Sequence, residues 1–427
     1  MKKLFALILT LAMAMSLVAC GGSKTNEPAS SGSTTPAATT EPAKTDAPAA
    51  PTTLTLALRG GTYADVIKEC LPAFEAENNV TCDVLELSEG DLLSKVGLDA
   101  SNKEGAYDLI MVGSSNVATI LGNDVAANLS ELGYSFDDDI IPATTTTCMK
   151  DGQIYLAPYY GNVSVLMFNK QLVADAGYDA DSIQSLDDIM KICAAAKAAG
   201  KNGFLYRGDN PSNLVVDFLP ILCAYGGWVV DENNKPTCTT DEFKAALNFY
   251  LDLIATGTAQ VKDDIIASID TGAGAMTIGW PGWYTPTADT TGDYCALRGA
   301  AHTGDQSYNA NIYGSWTIGI AANSTKKEMA LKLLEYLMDA DVQYATIPSG
   351  GVPCRYSALL DEKVLETYPQ YAAVCEALEN GVYRPVMEEW TEFYTILGTE
   401  LDNIVNGVKT VDAGLADAQM QLEMLMG

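Results

Sequence analysis

Residues 53–116 read TLTLALRGGTYADVIKECLPAFEAENNVTCDVLELSEGDLLSKVGLDASNKEGAYDLIMVGSSN. Thr53 to Leu58 alternate in polarity, the period of a strand. Gly60-Gly61 breaks the chain, and Val66, Ile67, Cys70, Leu71 and Phe74 then share one face of a helix. A strand over Val80–Leu87, a helix over Glu89–Ser101 and a strand over Tyr107–Val112 complete the stretch. Strands alternating with helices predict an α/β sheet covered on both faces. Gly113-Ser114-Ser115-Asn116 leaves the third strand at its C-terminal edge, where open α/β sheets bind ligands.

Towards the C-terminus a second α/β block begins near Gly161. It has a strand over 162–168, helices over 169–176, 185–199, 213–225 and 240–256, and a buried strand over 274–279. Asp231 to Asn234 lacks the glycine and terminal glutamate of a calcium loop and is read as a hairpin turn. A strand over 315–321 and a helix over 326–338 follow, and the rest is mainly helical. Val411, Leu415, Ala418, Leu422 and Met426 make a core stripe on the last helix. The run Asp137-Asp138-Asp139 is read as the acidic start of a helix.

Towards the N-terminus, Lys2 and Lys3 precede an apolar run, Leu4 to Ala19, too short for a stable membrane span. It ends Leu17-Val18-Ala19-Cys20-Gly21, which resembles the lipobox of bacterial lipoproteins. That resemblance implies a signal peptide over 1–19 and diacylation of Cys20, and two acyl chains anchor stably where one is marginal. Residues 21–52 contain no aromatic and no large aliphatic residue. Such a segment cannot repay its ordering entropy, so 20–52 is read as a lipidated cysteine and tether of roughly 30 Å mean span.

The chain has 427 residues, 25 Lys+Arg against 55 Asp+Glu, and a formal charge of −30. That balance argues against nucleic-acid binding, which needs a basic footprint. One histidine, His302, rules out a His-rich metal site, and it sits in a polar loop, GAAHTGDQS. Nine cysteines remain beside Cys20, with no C-x-x-C and no zinc spacing. They read as small buried hydrophobes, with a Cys70–Cys82 disulfide as the alternative. The chain has no phosphate loop, no G-x-S-x-G elbow and no H-E-x-x-H, hence no catalytic constellation and no implied cofactor.

Aromatic residues, by contrast, gather at loop positions. They are Tyr159 and Tyr160, Trp228, then Trp280, Trp283 and Tyr284, then Trp316, and finally Trp390 and Tyr394. Aromatic faces stack on the C–H faces of sugar rings and also attract cations.

The order of Leu71-Pro72-Ala73-Phe74-Glu75, Tyr107-Asp108-Leu109-Ile110, Ile154–Tyr159 with Met167–Lys170, Gly274–Ile278, and Gly407–Asp412 with Leu415 and Ala418-Gln419 resembles one family. This is the extracellular solute-binding proteins of bacterial ABC importers, of the maltose-binding type. The resemblance covers about residues 53–427. It implies a type II periplasmic-binding-protein-like fold, two α/β lobes joined by a hinge with a ligand cleft between them. One lobe would comprise 53–160 plus 298–343, the other 161–297 plus 344–427, with crossings near Tyr160, Leu297 and Tyr344. Closure around the solute by hinge bending would create the form that the permease recognises.

Carried onto this sequence, the resemblance places Tyr159 after the first crossing and a stacking tryptophan after the Gly274–Gly279 strand, Trp283 in preference to Trp280. Trp390 or Tyr394 matches a C-terminal aromatic near the site; Tyr63, Ser114 and Ser115 lie on cleft-facing loops, and Arg355 follows a crossing. The usual T-W-x-E-L segment is replaced by Ser185-Leu186-Asp187-Asp188, which leaves the subfamily open. The expected function is capture of a small solute, a sugar first, by a lipid-anchored extracytoplasmic monomer that serves ABC permease subunits. A polyamine or other cationic solute is the alternative within the fold, and a sensory lipoprotein the alternative outside it.

Overall fold

The computed structural model describes residues 51–286, 289–298 and 310–427. The proposed signal peptide, Cys20, the tether up to residue 50, and His302 lie outside the described residues.

The alternating segment forms strand β1 (Thr52–Arg59), with Leu54, Leu56 and Leu58 fully buried. Gly61 then takes φ 85°, a backbone conformation that strains any L side chain, and releases helix α1 (Thr62–Asn78). Asn79 ends α1 at φ 51°, its N–H donating to the Glu75 carbonyl. Strand β2 (Val80–Leu87) runs parallel to β1. Helix α2 (Glu89–Asp99) is capped by Ser88, whose side chain accepts from the Asp91 N–H. Strand β3 (Leu109–Gly113) lies parallel on the other side of β1.

The Tyr107-Asp108 pair ahead of β3 has a packing role. Asp108 is buried, and its carboxylate accepts from the Thr55 N–H at 2.9 Å, Ser324 Oγ at 2.6 Å and Lys326 Nζ at 3.0 Å. A buried carboxylate is tolerable only when so paired. Here it ties β1 to a segment more than 200 residues later.

Strands β4 (Leu156–Tyr160), β5 (Val165–Asn169), β6 (Asn202–Phe204), β7 (Gly274–Gly279), β8 (Gly292–Cys295) and β9 (Trp316–Ile320) complete two larger sheets. The first has the order β2-β1-β3-β9-β4, the second β8-β5-β7-β6. β9 is antiparallel to both its neighbours, whereas β6 and β7 are parallel. Helices α3 (Leu186–Ala198), α4 (Pro211–Ala224), α5 (Asp241–Ile254), α6 (Lys327–Leu337), α7 (Gln370–Glu379), α8 (Trp390–Val405) and α9 (Val411–Met426) cover them. Two hydrophobic cores result, one centred on β1, β3 and β9, the other on β7, α4, α5 and α8.

Three segments connect the cores and pair with one another. Residues 161–164 lie beside 311–314, with Ser164 N–H donating to the Ile312 carbonyl and Gly314 N–H to Asn162. The same strand pairs on its other side with 382, through Tyr313 N–H to Val382 and Val382 N–H to Asn311. The second passage is therefore at residues 311–314, not near Leu297, which lies in the second core, and the third is at residues 381–386, not at Tyr344. Ile347, Val352, Leu359, Val374 and Leu378 belong to the first core, and Met387 and Trp390 to the second. The cause is main-chain bonding, because the Ile141 and Gly161 N–H groups hold the Cys354 and Val352 carbonyls against the first sheet.

Other sequence expectations change as well. The nine described cysteines are free thiols, so the Cys70–Cys82 disulfide does not form. Asp137 and Asp139 do not start a helix; they flank the buried Arg355 guanidinium at 2.8 and 3.3 Å. Asp231 closes a turn, accepting from the N–H groups of Asn233 and Lys235.

A candidate ligand cleft

A cavity of about 700 Å³ lies between the two sheets. Its lining comes from the C-terminal ends of the parallel strands β1, β3, β6 and β7, the expected place for a ligand in such sheets. On the first side stand Arg59 at the end of β1, Tyr63 in the first turn of α1, Glu89 on α2, and Ser114, Ser115 and Asn116 after β3. Trp316, the first residue of β9, stands behind Tyr63 with ring centroids 5.3 Å apart. On the second side are Arg207 after β6, Asn210 and Asn213 at the start of α4, Trp280 and Trp283 after β7, and Trp390 and Tyr394 on α8. The connecting segments supply Asn162, Gly314 and Arg384.

Packing fixes these side chains. Tyr63 is held edge-on by Tyr160 at 4.8 Å, and Asn162 Nδ2 reaches its hydroxyl at 3.5 Å. Burial pushes the Tyr63 phenol above its ordinary range, against the pull of Arg59, so it stays a neutral donor. Trp390 stacks on Phe393 at 5.6 Å and tilts against Tyr394 at 5.5 Å. Gly314 is needed as glycine, because a Cβ there would meet the Trp280 ring at 2.8 Å.

Arg207 is the most constrained cation. It donates from Nη2 and Nε to Asp217 and from Nη1 to Asn213 Oδ1 at 3.0 Å, and its guanidinium lies 5.0 Å from the Trp283 ring centre. Burial raises the Asp217 carboxyl, and the Arg207 charge opposes that rise. Arg384 sits 5.8 Å from the Trp280 ring centre and donates from Nη1 to Ser115 Oγ at 3.0 Å. The buried Asn162 Oδ1 and Arg384 Nε have no protein partner among the described residues.

Of the sequence candidates, Tyr63, Ser114, Ser115, Trp280, Trp283, Trp316, Trp390 and Tyr394 line this one cavity. Five others do not. Tyr159 is buried on β4. Tyr160 is buried behind Tyr63, its hydroxyl donating to the Gly350 carbonyl at 2.6 Å. Trp228 packs against the second core, and Tyr284 donates its hydroxyl to Asp270 at 2.7 Å. Arg355 is 4 % exposed and bound by Asp137 and Asp139.

Sequence reasoning passed over Arg59, Arg207, Arg384, Asn162 and Asn213. A signal existed: the whole chain has only five arginines, and each of these three directly precedes a glycine or proline (Leu58-Arg59-Gly60, Tyr206-Arg207-Gly208, Tyr383-Arg384-Pro385). Among the described residues no His/Cys/Asp/Glu group could hold a metal, and no helix is long and apolar enough to cross a membrane.

Comparison with known proteins gives a consistent picture. The family model described as bacterial extracellular solute-binding protein matches residues 57–344. A probable amino-acid ABC transporter periplasmic-binding protein of Sinorhizobium fredii is 22 % identical over 280 residues, which is 63 % of this chain and 63 % of that protein. A mannitol-binding protein of Pseudomonas aeruginosa is 22 % identical over 384 residues, 81 % of this chain and 86 % of its own. Among solved structures, maltose-bound MalE3 of T. maritima superposes with a TM-score of 0.73 at 22 % identity, covering 88 % of this chain and all of that one. The shared architecture is the type II binding-protein fold with two α/β lobes.

Proposed function

The chain belongs to the bacterial extracellular solute-binding protein family, and from that premise we propose that it captures a carbohydrate in the interlobe cleft for an ABC importer. The observation that carries this reading is the convergence of Tyr63, Trp283, Trp390 and Tyr394 with Asn162, Asn213, Ser114 and Ser115 around one cavity. Ring faces suit sugar C–H surfaces, while amides and hydroxyls suit sugar hydroxyls. The partnerless Asn162 Oδ1 offers an acceptor for one of them. Relatives named for mannitol and maltose support the same class.

The cavity gives a cationic solute little to bind. Glu89 is its one acidic lining residue, against three arginines, among the described residues. A polyamine would meet the wrong sign of charge. The protein is a receptor and not an enzyme. It works outside the cytoplasm, and the Cys20 motif supports a lipid anchor there, with the protein acting as a monomer.

A thermal-shift screen of mono- and oligosaccharides, polyols, amino acids and polyamines tests the proposal. A true ligand at 100 times its Kd adds about 2.7 kcal/mol of stability. Stabilisation by saccharides or polyols is the expected result. Stabilisation by amino acids or polyamines alone would reject the carbohydrate assignment and keep the family.

A further inference from the structure

Arginine is scarce in this acidic chain, yet three of its five arginines line the cavity, and no lysine does. The other two are neutralised in the body of the protein, Arg298 by Glu376 and Arg355 by Asp137 and Asp139. Of the three in the cleft, Arg207 has its counter-charge in Asp217. Arg59 and Arg384 have no ion-pair partner among the described residues.

Their hydrogen-bonding capacity is mostly unused. A guanidinium carries five N–H donors. Arg59 uses Nη1 on the Gly60 carbonyl at 3.1 Å, and Arg384 uses Nη1 on Ser115 Oγ at 3.0 Å. The Arg384 Nε is buried without an acceptor. Arg384 bonds Ser115, which follows β3, and Arg59 ends β1 beside β3, so the two groups stand on the same edge of the first sheet in the cavity. Glu89 lines the same cavity but forms no ion pair with either arginine: it is solvent-exposed, and its Oε1 accepts from Asn116. Lobe closure would strip water from two uncompensated cations, which is costly unless the solute supplies the opposite charge.

We infer that the solute is an anionic saccharide, its negative group held by Arg59 and Arg384 while its rings lie against the tryptophans. This rests on the carbohydrate reading above and narrows it. A carboxylate, as in a uronic acid, and a phosphate ester offer the same chemistry, since both pair with a guanidinium through two oxygens.

Calorimetry of the purified chain tests this with four probes: digalacturonate and glucose 6-phosphate, and their neutral counterparts galactobiose and glucose. Each is measured at low and at high sodium chloride, against the parent protein and the R59Q/R384Q variant. At least one acidic probe should bind about 10- to 100-fold more tightly than its neutral counterpart. That preference, read as the ratio of acidic to neutral affinity, should weaken at high salt and vanish in R59Q/R384Q. Which acidic probe binds identifies carboxylate or phosphate. The salt dependence of the parent protein decides the question if R59Q/R384Q fails to fold. Equal or tighter binding of neutral sugars would overturn the anionic assignment and leave the carbohydrate reading standing. Binding of none of these probes, with stabilisation by amino acids, would overturn both.

Discussion

Trp283 and Trp280 follow the same strand but occupy different environments. Trp280 is 9 % exposed, wedged between Gly314 and Arg384, whereas Trp283 is partly open to the cavity. Replacing Trp283 with alanine should weaken solute binding by about 1–3 kcal/mol through lost apolar burial. An unchanged calorimetric affinity would take Trp283 out of the site. Asp217 supports the cleft through Arg207, and its side chain is almost fully buried. Asp217→Asn leaves that guanidinium without its charge partner and should cost about 3–5 kcal/mol in urea denaturation. Such a pair is hard to read from sequence. Arg207 and Asp217 are only ten residues apart, but a loop arginine before a glycine looks like surface until α4 folds back over it.

At the scale of elements, the stretch from β1 to β3 was legible because its periodicity is local. Leu54, Leu56 and Leu58 announce a strand, and Val66, Ile67, Leu71 and Phe74 a helix, before any tertiary contact is known. The segment around 344–380 was not legible, since its short helices are placed by bonds to Ile141 and Gly161, far away in sequence. Arg355 shows the same limit: its carboxylate partner Asp137 is 218 residues distant. That cluster makes a pH prediction. The Asp139 N–H, and then Arg355, hold the Asp137 carboxyl below its ordinary value. A depressed carboxyl adds stability above the unfolded-state pKa of about 3.9 and loses it as pH falls through the lower folded value. Asp137→Asn should therefore reduce the urea midpoint at neutral pH and converge with the parent protein once the pH falls below the lowered Asp137 value. Parallel midpoint curves across that range would show that the pair contributes nothing.

For the whole molecule, the paired connectors at 161–164, 311–314 and 382 form a narrow strip between two cores, the geometry of a hinge. Small-angle scattering should show a smaller radius of gyration on adding a binding sugar, and an unchanged radius would argue for a preformed, rigid cleft. Arg384 lies within the third connector, two residues after Val382, and bonds Ser115 on the first side, so the cleft floor and the bending strip share a residue. The order of the first sheet also bears on how the protein is made. β9 lies between β3 and β4, yet the chain must be synthesised to residue 320 before that strand exists. Until then β3 and β4 flank a gap one strand wide, and the first core still awaits the segment that ends at Leu378. Neither core is complete until segments near the C-terminal end of the chain have been made, so the strand order delays folding towards the end of synthesis. A polypeptide cut after Leu297 should accordingly give no cooperative melting transition, whereas the same cut in a protein of two consecutive domains would leave the first one intact.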